Sequence, residues 1–116
     1  MVWVHAGWDL TGERSVTLMR SLLMKHPNLY MSIKVDPRAP GRTSPFELDG
    51  ALRPDWVALF GEFPDRFMIG SDQFFDEGRE RLDLARSLVN SLPPDVARLV
   101  ASENAKRIYR LDAKPK

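Results

Sequence analysis

Apolar residues recur along this chain with two different periods, and the places where the period switches outline its elements. Val2-Trp3-Val4-His5 is β-prone from its first residues and breaks at Ala6-Gly7. It predicts an opening strand. From Glu13 to Lys25, Val16, Met19, Leu22 and Leu23 fall at helical spacing, with Thr11 or Gly12 near the start and Pro27 just past the end. Leu29 to Val35 then alternates, with Leu29, Met31, Ile33 and Val35 on one face and Tyr30, Ser32 and Lys34 on the other. A stretch dense in turn formers runs from Asp36 to Pro45, and irregular sequence continues to about Arg53. Pro54-Asp55 suits a first helical turn, followed by Trp56, Phe60 and Phe63 on one side. Phe67 to Ser71 predicts a third strand, and Asp72 to Gly78 a loop. Two closing helices are expected, from Glu80 to Ser91 and, after Pro93-Pro94, from Asp95 to Arg110.

The order β-α-β-α-β-α-α predicts an α/β fold with three parallel strands joined by right-handed crossovers, because parallel neighbours need a long connection. It shows no internal repeat. In such sheets ligands gather at the carboxyl ends of the strands. That rule puts His5, Lys34 to Asp36 and Asp72 on one rim.

Composition narrows the partners. The chain has 116 residues, 43% of them hydrophobic and 28% charged, which suits one small folded domain. Residues 1–112 are read as that domain and 113–116 as a flexible tail. Seventeen basic residues against sixteen acidic leave a net charge of +1, so no basic footprint points to nucleic acid or an anionic membrane. The expected partner is a small-molecule substrate or a protein. The absence of cysteine excludes disulfides, thiolate zinc sites and cysteine nucleophiles, and it fits a reducing, cytoplasmic setting. No apolar run reaches the ~20 residues of a membrane span, and the start lacks the pattern of a signal peptide.

His5 and Asp72 are groups that bind a divalent metal or move protons. Each stands at a strand end, and one intervening strand would bring them within roughly 10 Å at backbone level. Plainer roles stay open for both: a satisfied or capping histidine, and an N-cap or turn aspartate after Gly70-Ser71. Lys34 reads as a strand-end lysine able to reach solvent, and Arg38 and Arg42 as loop charges or carboxylate clamps. His26, between a helix end and a strand start, belongs to the opposite rim, with a helix-terminal role. Asn104 is a poor helix former inside a helix, so its amide is expected to meet a specific buried partner. No phosphate-cradling loop, nucleophile elbow or dinucleotide fingerprint is present.

Four segments resemble a known family: Val2-Trp3-Val4-His5-Ala6-Gly7, His26-Pro27-Asn28-Leu29-Tyr30, Pro64 to Asp72, and Glu103-Asn104-Ala105-Lys106-Arg107-Ile108-Tyr109. They are similar, in order and over nearly the whole chain, to the amidohydrolase-related (amidohydrolase 2) metal-dependent hydrolases. That resemblance implies a partial TIM-type barrel, this chain corresponding to the last three β/α units. It also implies a divalent metal, zinc first, with Asp72 as ligand and proton acceptor and His5 beside the metal, polarising substrate or water. Amide, ester or lactone hydrolysis would be the reaction, or in one branch decarboxylation of aromatic acids. Lys34, Arg38 and Arg42 match no motif of that family and are expected to touch substrate.

The same resemblance places the family's first-strand His-x-His pair and fifth-strand histidine upstream of Met1. The chain is therefore expected to be inactive alone, with metal binding weak or absent. A non-catalytic module is the alternative. It would self-associate, or pair with a missing amino-terminal portion, through exposed sheet edges.

Overall fold

The computed structural model describes residues 1–7, 12–35, 43–47, 49–70 and 78–111. Strand β1 (Val2–Ala6) leads to helix α1 (Val16–Lys25), strand β2 (Tyr30–Lys34), helix α2 (Pro54–Glu62) and strand β3 (Phe67–Gly70). Helix α3 (Glu80–Asn90) follows. The last helical stretch comprises α4 (Pro94–Arg98), a π-helical turn (Leu99–Glu103) and α5 (Asn104–Ile108). The three strands form one parallel sheet in the order β1-β2-β3, as the alternating pattern requires.

Helix α1 begins at Val16, the first of the apolar positions, three residues inside the stretch expected from Glu13. Ser15 is the N-cap, its Oγ accepting the Leu18 N–H at 3.1 Å. A hydroxyl that satisfies an otherwise orphaned donor fixes the first turn there. At the other end the His26 N–H donates to the Leu22 carbonyl, which gives His26 the helix-terminal role expected of it. Helix α2 starts at Pro54, whose missing N–H costs nothing in the first turn.

One face of the sheet makes the core. Met31, Ile33, Val35 and Phe67 meet Met19 and Leu23 of α1, Trp56, Leu59 and Phe60 of α2, Ala85 and Leu88 of α3, and Val100 of the π turn. Phe60 centres this cluster, tilted against Trp56 at 5.5 Å and edge-on to Phe67 at 4.9 Å. Helices α1 and α2 touch each other, with Arg20 and Glu62 paired at 2.9 Å across their outer side. On α3 the buried positions are Arg81, Ala85 and Leu88, while Leu82 and Val89 line an open cleft beside Ile69 and Gly70.

The amino-terminal ends of β2 and β3 are held by polar side chains on main-chain carbonyls. Arg66 donates through Nε to the Leu29 carbonyl at 2.7 Å and through Nη2 to the carbonyls of His26 and, at 3.4 Å, Leu23. Its guanidinium also lies over the Tyr30 ring at 5.7 Å. Asn104, fully buried, donates from Nδ2 to the carbonyls of Pro64 at 2.7 Å and Phe67 at 2.9 Å. Arg107 donates to Asn104 Oδ1 at 3.2 Å and to the Asp65 carbonyl at 2.6 Å. This is the buried partner that an asparagine in mid-helix foretold. The π turn before it, in which the Asn104 N–H reaches back to Leu99, was not foreseen in an unbroken helix from Asp95. Widening the helix by one residue is a known device for re-aiming a side chain.

Candidate functional site

The carboxyl ends of the three strands carry the candidate chemistry. In β1, Val2 pairs with Tyr30 and Trp3 with Met31, but Ala6 pairs with Ile33, so Val4 and His5 together oppose Ser32 alone. This is a β-bulge, and it breaks the in-and-out alternation at His5. His5 has φ of +63°, a left-handed conformation that costs a side-chain-bearing residue of order 1 kcal/mol and that glycine adopts freely. Two residues on, Gly7 has φ of +90°, and a Cβ there would stand 3.1 Å from both the Lys34 carbonyl oxygen and Pro45 Cδ. Gly7 therefore lets the chain leaving β1 pass tightly under Pro45.

Lys34 ends β2 on the polar face of that strand and is only 8% exposed. Its cross-strand neighbour is Gly70, the last residue of β3. Val4, His5, Ser32, Ile33, Lys34 and Gly70 line a cleft of about 190 Å³. His5 and Lys34, two of the residues singled out in the sequence, are thus brought into one cleft. Asp72, Arg38 and Arg42 lie outside the described residues; in sequence Asp72 follows Gly70, the last residue of β3, by two positions.

The rim is bordered by a segment that the sequence marked only as irregular. Phe46 and Leu52 form a bridge, and the Arg53 N–H donates to the Pro45 carbonyl at 2.7 Å. Thr43 and Ser44 are buried, with Ser44 Oγ accepting the Phe46 N–H at 3.2 Å. Polar residues buried beside a strand end are anchored loop, and the turn-rich composition concealed them.

A larger groove of about 390 Å³ lies at the other end of β1, lined by Met1, Trp3, Leu22, His26, Pro27, Asn28 and Leu29. It is mostly apolar and holds one titratable side chain, His26, on the rim away from Lys34. Chemistry and volume therefore separate in this molecule. Among the described residues no three His, Asp or Glu side chains gather as a metal-holding group. His5 is a suitable donor type, but one donor falls short of the three that a catalytic zinc normally takes from protein, so the described residues do not by themselves form a metal centre. Among them, also, no helix is long and apolar enough to cross a membrane.

Comparison with known proteins gives a family and nothing nearer. The family model described as amidohydrolase matches residues 1–111. No curated protein matches, and no solved structure does.

Proposed function

The chain belongs to the amidohydrolase family, and from that premise we propose that its carboxyl rim serves hydrolysis of an amide, ester or lactone type of bond, with Asp72 and His5 as the residues nearest the reacting atoms. The observation that carries this reading is the bulge that sets His5, in a strained left-handed conformation, into the cleft from which β3 leads on to Asp72. The decarboxylase branch of the chemistry would use the same rim.

In this reading a divalent metal, zinc in first place, would be held by Asp72 and His5 together with ligands from beyond the described residues, and it would act as a Lewis acid. Asp72 accepts a proton from the attacking water. His5 donates a hydrogen bond to the oxygen that gains charge. Lys34, Arg38 and Arg42 face the substrate. The sheet belongs to a TIM-type barrel as its last three β/α units, and the chain alone binds metal weakly and turns over little. The chain holds two histidines, and His26 is committed to the opposite rim, which is the support for that shortfall.

The test is complementation. Combining the chain with the amino-terminal β/α units of a family member should give zinc-dependent hydrolysis of simple esters or lactones, and Asp72→Asn should lower it by about a hundredfold or more. Full zinc-dependent activity in that variant would contradict the assignment.

A second reading, a non-catalytic module that associates through sheet edges, is favoured by one observation. Among the described residues β1 and β3 each pair on one side only. Mass measurement in solution, with and without zinc, separates the two. A metal-free monomer that becomes active on complementation excludes the module.

A further inference from the structure

We propose that Lys34 anchors an anionic oxygen group of the substrate, a small carboxylate, in the cleft it shares with His5. This deepens the hydrolase reading and rests on it for the identity of the rim.

Lysine is among the residues least often buried, and Lys34 is 8% exposed at a strand end where its stem would otherwise run to water. It stands on the polar face of β2, with Ser32 two positions before it, and not among the apolar residues of the core. Its cross-strand neighbour is a glycine, and a Cβ built on Gly70 would meet none of the described residues within 4 Å. Among the described residues, space is thus left beside a buried cation. The cleft lined by Val4, His5, Ser32, Lys34 and Gly70 has a volume of about 190 Å³, enough for a small acid.

An ammonium offers three donors, so an interaction within the protein and a ligand oxygen can share it. Away from bulk water, a charge-assisted hydrogen bond to a carboxylate is stronger than one to a neutral carbonyl. Ser32 lines the same cleft and brings a second, neutral donor to it. The cleft should therefore discriminate by charge more than by shape. Because Lys34 lies on β2, between the strand of His5 and the strand leading to Asp72, a carboxylate held there would stand beside the reacting bond and not upon it.

The experiment is a titration of the full chain, without metal, followed through assigned backbone amide resonances. Benzoate and its neutral near-isostere benzamide are the probes. Benzoate should shift the amides of His5, Ser32, Lys34 and Gly70 saturably, at least tenfold more tightly than benzamide. Lys34→Arg should keep that preference and Lys34→Met should lose it. Equal binding of the two probes, or unchanged benzoate affinity in Lys34→Met, overturns the proposal. If Lys34→Met does not fold, the benzoate-to-benzamide ratio of the unaltered chain decides alone. Failure here is separable from failure of the hydrolase reading. Zinc-dependent hydrolysis without any preference for benzoate overturns only the anion anchor, and benzoate selectivity in a protein that complementation never activates overturns only the hydrolase.

Discussion

The two ends of this sheet are built on opposite principles. At the amino-terminal end, Arg66, Asn104 and Arg107 spend their donors on the main-chain carbonyls of Leu23, His26, Leu29, Pro64, Asp65 and Phe67. Every one of those contacts joins segments far apart in sequence and lowers the free energy of the fold. At the carboxyl end, the chain holds a histidine in a left-handed conformation, passes a glycine against a carbonyl and a proline ring, and buries a lysine in a cleft. The left-handed histidine costs stability, while the glycine lets the chain make its close pass without strain. Backbone strain of this kind concentrates where proteins do chemistry, and the contrast is the support for proposing function at the carboxyl rim and structure at the foot.

Mutations can break that contrast, and the largest effect is expected at the foot. Asn104→Leu removes the donors that serve the Pro64 and Phe67 carbonyls, the second of them buried, and the acceptor of one Arg107 hydrogen bond. It should cost about 3 kcal/mol or more, read as a lower midpoint in urea at unchanged slope. Gly7→Ala should follow at about 2 kcal/mol, since the added methyl is 3.1 Å from the Lys34 carbonyl oxygen and the backbone is left-handed. Arg66→Leu should cost about 1–2 kcal/mol, and Arg66→Lys should recover little of it, because a point charge cannot serve carbonyls in several directions at once.

The smallest effect carries an opposite sign. His5→Gly relieves the left-handed conformation while giving the unfolded chain more freedom, so stability should stay level or rise by up to about 1 kcal/mol. A clear loss of stability in that variant would make His5 a structural residue and erase the contrast between the two ends.

How much of this was legible in the sequence differs between the same two regions. The strands and first helices were legible because alternation and helical spacing are local, and Pro54 marked its own helix start. Asn104 was legible because it is out of place in a helix, which betrayed a tertiary partner. The arginine contacts were not, because Arg66 finds its carbonyls 37 to 43 residues away, at distances no local pattern encodes. At the rim, residue types marked His5 and Lys34 as candidates, and the parallel order gave them a common edge. The bulge escaped notice because Val4-His5 carries no glycine or turn former, and a left-handed histidine leaves no signal in composition. The burial of Lys34 escaped for a related reason. A lysine at a strand end normally reads as a solvent-seeking side chain.

The most direct test of the account joins stability and chemistry in one variant. In the complemented, zinc-loaded protein, the rate of hydrolysis should fall by about a hundredfold in His5→Gly while its urea midpoint stays at or above that of the unaltered protein. Hydrolysis at the unaltered rate, in a variant equally well folded, would contradict the claim that the strained histidine is held at the rim for catalysis.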